Sequence, residues 1–225
     1  MMAAKSKYQY WVIIPAFNEA KTLSVVLEKL NKSRVAYVVV DDGSSDATFE
    51  IAKKYTTHAL QHKINLGKGA ALKTGCEYAF TRLNADGVIF FDADDQHEVA
   101  EIALFEHALQ EHDVVFGVRS FDEHMPLIRI MLNRVASFFL MVLFGTYIPD
   151  IPSGFKALSK KAYKKVSWNS TDYAVEMEIA ARVAKAKLDF VTVPITTIYH
   201  ELDRGMTFID TLRILLRALS WRISL

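Results

Sequence analysis

The sequence predicts an α/β fold in which a mostly parallel sheet is sandwiched by helices. Three short apolar runs, YWVIIP (10–15), YVVV (37–40) and GVIFF (87–91), have the length and the β-branched content of buried strands. Stretches with leucine and valine at helical spacing separate these runs. Strands that are apolar throughout and alternate with amphipathic helices are typical of parallel sheets covered on both faces.

The remaining elements follow from the same patterns along the chain. Asn18 is predicted to cap the first helix, and Asp46 or Ser45 to cap the second, because short polar side chains favour that position. A weaker strand is expected near 57–61, and further strands in DVVFGV and LDFVTVPI, while DIPSGFKALS is predicted to be a loop that enters a strand. Helices are expected at 18–32, 46–55, 69–82, 98–110, 126–144, 173–187 and 207–225.

Length and composition favour one domain and exclude several classes of protein. The 225 residues are 51% hydrophobic, which is enough for one sizeable core, and the net charge of +1 carries no nucleic-acid signature. The single cysteine, Cys76, rules out an internal disulfide and fits a reducing compartment. The polar N-terminal segment lacks a signal core, and the longest uncharged run, 135–149, is shorter than the about 20 residues of a bilayer-spanning helix. We expect a protein that is soluble or associated with a membrane surface.

Three polar clusters follow predicted strands at the same edge of the sheet. They are AFNEA (16–20), DDGSSD (41–46) and DADDQ (92–96). Ligands of open α/β sheets bind at the carboxyl ends of the strands. The first 120 residues are therefore predicted to form a nucleotide-sized crevice lined with carboxylates.

DADDQ is the cluster with the most specific chemistry. Asp92 and Asp94 repel each other on a tight turn, and a divalent cation would relieve that repulsion. With Gln96, the all-oxygen ligands suit Mg²⁺ or Mn²⁺. A cation that bridges a diphosphate makes it a better leaving group. A solvated acidic turn that caps the next helix is the alternative interpretation.

Two further positions are candidates for nucleotide binding. Asp42 in DDGSSD would accept a hydrogen bond from a nucleoside, although Asp-Gly also favours a simple turn. Lys68 in NLGKG would meet a nucleotide phosphate or be an exposed lysine at a helix start. The spacing of the glycines there does not match a dinucleotide fingerprint.

Five motifs resemble those of a known family in order and spacing. VIIPAFNEA, VVVDDGSSDAT, NLGKGAALKTG, FFDADDQH and DIPSGFKAL are similar to the motifs of family-2 glycosyltransferases, which have the Rossmann-like GT-A fold. The resemblance spans about Tyr10 to Arg204 and is greatest to the polyprenyl-phosphate sugar synthases, such as the dolichyl-phosphate mannose synthase group. It implies an inverting hexosyltransferase with a GDP- or UDP-sugar donor.

The resemblance also implies roles for individual residues. The metal and the donor diphosphate would lie at Asp92, Asp94 and Gln96. The catalytic residues would be Asp94, Arg119 and Arg204. Residues implied in nucleotide-sugar binding are Pro15, Ala16, Phe17, Glu19, Asp42, Lys68, Asp92 and Ala93.

The acceptor can be argued from charge. A sugar hydroxyl needs a general base, and the Glu-Asp motif in which relatives carry one is absent. A lipid phosphate is already an anion and needs cations instead. Arg119, Arg129 and Arg134 stand where the lipid-phosphate group of the family keeps basic residues, and Asn133 lies one helical turn from Arg129. Arg204, in YHELDRG, would close over the diphosphate.

The second half of the chain combines arginines with broad apolar faces. The segment 127–144 and the C-terminal helix both fit binding at a membrane interface, where a polyprenyl (dolichyl or undecaprenyl) phosphate would be met. The alternative is that both helices pack on the core or on a partner subunit. We divide the single domain, 1–225, into a nucleotide-sugar half (about 8–120), an acceptor half (about 121–206) and an amphipathic C-terminal helix (207–225). A peripheral location at the cytoplasmic face, and a possible membrane-anchoring partner protein, are expected.

Three other functions remain as alternatives. A glycosyltransferase that acts on a glycan or protein hydroxyl would keep the donor site. A sugar nucleotidyltransferase should carry a Gly-x-Gly-x-Arg loop after the first strand, where this sequence has PAFNEA. A non-catalytic membrane-surface protein that binds a nucleotide sugar is disfavoured by the intact Asp-x-Asp.

Overall fold

A seven-stranded sheet with the order β3-β2-β1-β4-β6-β5-β7 forms the centre of the protein. The structure, a computed structural model, describes residues 9–120, 127–198 and 208–224. Every strand pair is parallel except those that involve β6, which runs antiparallel to both β4 and β5. The strands are β1 (Tyr10–Ala16), β2 (Tyr37–Asp41), β3 (Ala59–Gln61), β4 (Gly87–Phe90), β5 (Val114–Arg119), β6 (Lys156–Ser159) and β7 (Phe190–Ile195).

Helices cover both faces of this sheet, as the apolar strands predicted. One apolar layer joins the sheet to α1, α2 and α4, and the other joins it to α3 and to the helices of the second half. The predicted α/β architecture is confirmed. The helices are α1 (Leu23–Lys32), α2 (Thr48–Tyr55), α3 (Lys68–Arg82), α4 (Ile102–Ala108), α5 (Leu127–Phe144), α6 (Lys160–Val166), α7 (Val175–Lys185) and α8 (Phe208–Ser224).

Helix starts are where the structure departs from the predicted elements. The prediction that Asn18 caps α1 is wrong, because α1 begins at Leu23 and Asn18 has a left-handed backbone with φ 55°. The predicted cap of α2 at Asp46 or Ser45 is also wrong, because Ala47 is at the N-cap; the Asp46 carboxylate still accepts a hydrogen bond from the Thr48 backbone N–H at 3.0 Å. The short helix α6 was not predicted; the Ser159 hydroxyl caps it by accepting from Ala162 N at 3.0 Å.

Helices α5 and α8 pack against each other and divide their apolar side chains between the core and the surface. On the predicted apolar face of α8, Leu215 is partly buried against the core, whereas Leu216 and Ile223 are exposed. Helix α5 buries Leu140 but leaves a long apolar stripe exposed, formed by Leu127, Ile128, Met131, Val135, Phe138, Met141 and Val142. Within the described ranges, no helix combines the length and apolarity that crossing a membrane requires.

Candidate active site

The loops after β1 and β2 are joined by hydrogen bonds between polar side chains and backbone. The Asn18 side-chain oxygen accepts from Ser45 N at 2.9 Å, and Asn18 N donates to the Ser44 hydroxyl at 2.8 Å. Ala20 N donates to the Asp46 carboxylate at 3.2 Å. These contacts explain why Asn18 adopts a left-handed backbone: its side chain fastens one strand-end loop to the next.

A pocket at this edge of the sheet contains the residues that were expected to bind a nucleotide sugar. We call it the carboxylate pocket. It also includes Asp94 from the loop after β4 and Tyr173 from the segment before α7. The three polar clusters therefore meet in one cavity. All eight predicted residues line it: Pro15, Ala16, Phe17, Glu19, Asp42, Lys68, Asp92 and Ala93.

Asp42 shapes the wall of this pocket. Its carboxylate is buried and accepts from Leu66 N at 3.0 Å, from Gly67 N at 2.6 Å and from the His62 ring at 2.7 Å. Gly67 has φ 96°, and a Cβ there would lie 2.3 Å from the Thr171 carbonyl oxygen. Only glycine fits this turn, so Asp42 holds the loop before α3 in a shape that a side chain at residue 67 would prevent.

Two basic side chains, Lys68 and His97, lie beside the Asp92 carboxylate. One of its oxygens lies 2.7 Å from Lys68 Nζ, and the other lies 3.6 Å from His97 Nε2. Burial would raise the pKa of Asp92, but the charges of Lys68 and His97 hold that pKa well below its usual range. Asp92 is therefore an ionised group and a weak base.

Asp94 stands in the opposite electrostatic situation. Burial, followed by the neighbouring charge of Asp92, raises the pKa of Asp94 to about 6. Gln96 N donates to its carboxylate at 3.1 Å, which closes the turn. Asp95, within the same turn, has φ 60° and forms an ion pair with Lys29 of α1 at 2.6 Å. The third acidic residue of DADDQ thus anchors the turn to α1 and leaves Asp92 and Asp94 to face the pocket.

This donor set fits a divalent cation that two carboxylates hold and that substrate phosphates can also contact. Among the described residues, no three His, Cys, Asp or Glu side chains form a metal cluster by themselves. Mg²⁺ is commonly held by one or two carboxylates together with substrate phosphates, and Asp92 and Asp94 supply two carboxylates in one pocket. Gln96, the third predicted ligand, lines a neighbouring pocket instead.

The neighbouring pocket is mostly apolar, and we call it the apolar pocket. Leu132 and Ala136 of α5 and Ile214 and Leu215 of α8 form part of its wall. Lys68, Asp92 and Tyr173 line both pockets. The two cavities therefore meet at the Lys68–Asp92 ion pair.

Arg119 and Asn133 bring polar groups to the apolar pocket. The Arg119 Nε and Nη2 atoms both donate at 2.8 Å to Asp150, a carboxylate with no exposed surface. Such a two-bonded pair fixes the plane of the guanidinium. Asn133 is buried and its amide nitrogen donates to the Pro149 carbonyl at 3.2 Å.

The other predicted phosphate-binding arginines do not join this pair in the described structure. Arg134 is exposed on α5 and lines neither pocket. The side chain of Arg129 and all of Arg204 lie outside the described residues. Their predicted roles stay predictions.

The sequence analysis missed two buried charged residues at the junction. Lys156 of β6 has no exposed surface and forms an ion pair with Glu176 of α7. Glu176 in turn lies 3.1 Å from Lys68. Burial would lower the pKa of Lys68, but Asp92 and then Glu176 raise it above its ordinary value, so its ammonium stays charged. The signal available in the sequence was a lysine inside an otherwise apolar strand, FKAL.

The segment before α7 is fixed by two other acidic residues. Glu178 accepts from Asn169 N at 3.0 Å, from Ser170 N at 2.7 Å and from Arg182 at 2.7 Å. Asp172 forms an ion pair with Arg217 of α8 at 2.7 Å. Helix α8 is thus tied to a loop that lines the carboxylate pocket.

Comparisons with known proteins agree with this geometry. The model of the family "Glycosyl transferase family 2" matches residues 11–167. The chain is 32% identical to UDP-N-acetylglucosamine--dolichyl-phosphate N-acetylglucosaminyltransferase of Methanococcus voltae, over 93% of this chain and 94% of that protein. It is 27% identical to polyprenol monophosphomannose synthase of Mycolicibacterium smegmatis, over 85% of this chain and 78% of that one.

A solved structure shares the fold at lower identity. Glucosyl-3-phosphoglycerate synthase from Mycobacterium tuberculosis, in complex with Mg²⁺ and uridine diphosphate, superimposes with a TM-score of 0.75 at 18% identity, over 97% of this chain and 80% of that chain. The family match covers more than half of the sequence and includes all five motifs completely. The protein is a glycosyltransferase, and its chain belongs to glycosyl transferase family 2.

Proposed function

We propose that the protein transfers a sugar from a nucleotide diphosphate sugar to a polyprenyl phosphate, with inversion at the anomeric carbon and with a divalent cation at the donor. The nucleotide sugar would occupy the carboxylate pocket, with its diphosphate near Asp92 and Asp94. A bound Mg²⁺ or Mn²⁺ would stabilise the charge that develops on the departing nucleotide. These two carboxylates would hold the metal, and Lys68 lies beside Asp92.

The observation that carries the proposal is the junction of two pockets. One contains the carboxylates of Asp42, Asp92 and Asp94, and the other brings apolar side chains of α5 and α8 together with Arg119 and Asn133. A polyprenyl phosphate, which has an anionic head and an apolar chain, matches this second combination. Its phosphate beside Arg119 and its first isoprenoid units against α5 and α8 would bring the attacking oxygen to the donor's sugar.

The chemistry of the junction favours a phosphate over a hydroxyl as the nucleophile. A hydroxyl needs a general base, whereas a phosphate oxygen is already anionic. Asp92 is held by Lys68 and has a pKa well below its usual range, so it is a poor base. Glu176 lies between two lysines, and Asp94, whose pKa is raised to about 6, would be occupied as a ligand of the divalent cation. The names of the relatives, which specify dolichyl phosphate and polyprenol monophosphomannose, support the same acceptor class.

The exposed apolar stripe of α5 supports a location at a membrane surface. It lies on the helix whose inner residues Leu132 and Ala136 line the apolar pocket. Exposed leucines of α8, among them Leu212 and Leu216, add to the apolar surface, and Arg134 and Arg222 are exposed on the same two helices. Apolar side chains with neighbouring arginines suit an interface rich in anionic lipid.

The test is release of the nucleotide from a panel of GDP- and UDP-sugars, with Mg²⁺ or Mn²⁺ and a short-chain polyprenyl phosphate. We expect release that requires both the cation and the lipid phosphate. Release that is indifferent to the lipid would instead favour a hydroxyl acceptor or hydrolysis. Binding of nucleotide without release from any donor would favour a non-catalytic protein.

A further inference from the structure

Lys156 is a buried cation whose hydrogen-bonding capacity is used entirely by the protein. Its ammonium donates to the Ile151 carbonyl at 3.1 Å, to the Ser153 carbonyl and to the Glu176 carboxylate. An ammonium has three N–H donors, and all three have acceptors here. Lys156 therefore has no donor to offer a substrate, and its chemical effect is on Glu176.

Glu176 carries this effect to the junction of the pockets. One of its oxygens pairs with Lys156, and the other lies 3.1 Å from Lys68 Nζ. Lys68 also lies 2.7 Å from the Asp92 carboxylate. The four side chains thus form a row of alternating charges from Lys156, which is fully buried, to Asp92, which faces both pockets.

The arrangement sets two cations in competition for Asp92. A divalent cation at the donor site needs the charge of Asp92, but Lys68 already neutralises part of that charge. Glu176, a second carboxylate beside Lys68, reduces this competition, because the Lys68 ammonium can move toward Glu176 when a metal binds Asp92. Glu176 can serve only if it stays in place, and Lys156 provides the contact that holds it.

We propose that Glu176, fixed by Lys156, is a positioning residue that draws Lys68 from Asp92 and so keeps Asp92 able to bind the divalent cation. The inference rests on the proposed function in that it assumes a metal at Asp92. It goes further by assigning metal affinity to a buried pair that does not touch the metal. Removal of a group that contacts a metal ligand typically changes the metal affinity by about ten- to hundredfold, and Glu176 acts on the ligand Asp92 through such a group, Lys68.

The test is a titration of the purified protein with Mn²⁺ alone, followed by the electron paramagnetic resonance signal of the free ion. Glu176→Gln should weaken Mn²⁺ binding by roughly tenfold or more. Lys68→Met removes the competing cation, so it should bind Mn²⁺ at least as tightly as the wild type. In the Lys68→Met background, Glu176→Gln should then have no further effect on Mn²⁺ affinity.

Two variants separate this role from one in folding. Glu178→Gln makes the same change in the same turn of α7, but Glu178 bonds to Asn169, Ser170 and Arg182 rather than to Lys68, so Mn²⁺ affinity should stay unchanged. Lys156→Met combined with Glu176→Gln removes both buried charges together. It should fold, judged by a cooperative thermal transition, and should bind Mn²⁺ as weakly as Glu176→Gln alone.

The outcomes that overturn the inference are distinct from those that overturn the proposed function. Equal loss of Mn²⁺ affinity from Glu176→Gln with and without Lys68 would show a structural effect. Wild-type affinity in Glu176→Gln, or equal weakening by Glu178→Gln, would also refute it. Failure of the wild type to bind Mn²⁺ would refute the inference as well. The proposed transfer reaction is tested separately, by whether nucleotide release depends on the lipid phosphate.

Discussion

Replacement of Gly154 by alanine should disable the site while the protein stays folded. Gly154 lies in the loop before β6, directly against the junction of the two pockets. A Cβ at this position would lie 2.3 Å from an Asp92 carboxylate oxygen and 2.9 Å from Lys68 Nζ. Ordinary van der Waals contact begins at 3.4 Å, so the Asp92 oxygen must move by about 1 Å. Both neighbours are side-chain ends, which can move without unfolding the loop.

The size of the effect follows from that displacement. A misplacement of about 1 Å at a reacting centre costs on the order of 100-fold in rate. We therefore expect Gly154→Ala to reduce kcat/KM for nucleotide release, in the presence of metal and lipid phosphate, by on the order of 100-fold. Circular dichroism and a cooperative thermal transition should remain close to those of the wild type.

Gly145→Ala is the matched control. Gly145 follows α5 with φ 74°, and a Cβ there has nothing within 4 Å. The left-handed backbone should cost alanine about 1 kcal/mol of stability without disturbing either pocket. Gly145→Ala should therefore lower the melting temperature and keep full activity. An active Gly154→Ala variant would refute the placement of Asp92 and Lys68 at the reacting centre.

Three further predictions concern the apolar pocket, the exposed apolar stripe of α5 and the stability of the fold in acid. Asp150→Asn should lower the free energy of unfolding by about 1.5–3 kcal/mol and raise KM for the lipid phosphate, because Arg119 loses a charged partner. An unchanged KM would show that Arg119 does not contact the acceptor. Phe138→Asp should weaken the binding of the protein to anionic vesicles, measured by sedimentation, roughly tenfold, since burial of a phenylalanine side chain contributes about 1.5–3 kcal/mol. Because Phe138 is 60% exposed, the substitution should change the stability of the fold little. Burial would raise the pKa of Glu178, but its hydrogen bonds, among them that from Arg182, lower this pKa. The stability that ionised Glu178 gives the fold is therefore complete above the unfolded pKa of about 4.3, and it is lost as pH falls through the lower folded pKa. Acid melting curves should therefore show a larger loss of stability in the wild type than in Glu178→Gln, and equal losses would contradict this.

Local patterns predicted most of the sheet and the residues that meet in the carboxylate pocket. The strands β1, β2 and β4 are buried on both faces, and that property appears in the sequence as unbroken apolar runs. Because parallel strands end at one edge, the polar residues that follow them had to meet, and Asp42, Asp92 and Lys68 line one pocket. Only chain connectivity and periodicity were needed for that step.

The antiparallel β6 and the buried charges depend on contacts that no local pattern contains. KALS has the same length and composition whichever way it pairs, and its direction is set by the loop 145–155 that precedes it. Lys156 and Glu176 look like surface residues of a strand and a helix, since lysine and glutamate are rarely buried unless paired. The two residues lie 20 positions apart in sequence, and their pairing becomes evident only when β6 and α7 pack together.

The apolar pocket was predicted less completely than the carboxylate pocket. Arg119 and Asn133, both predicted to contact the acceptor phosphate, line the apolar pocket, but Asp150, which orients Arg119, was not anticipated. Arg134 was grouped with them because it stands where the lipid-phosphate group of the family keeps a basic residue, and the rotation of α5 turns it outward. A residue next to a pocket-facing one on a helix points about 100° away from it, so Arg134 lies outside the apolar pocket and its role stays a prediction.

The most direct test of the central claim is nucleotide release by the wild type and by Asp94→Ala, each with and without short-chain polyprenyl phosphate, in Mg²⁺ or Mn²⁺. We predict that the wild type releases GDP or UDP from at least one sugar donor only when the lipid phosphate is present. Asp94→Ala should lose this release and keep its fold. Lipid-independent release by the wild type, or full activity of Asp94→Ala, would contradict transfer to a polyprenyl phosphate at a metal-bound donor.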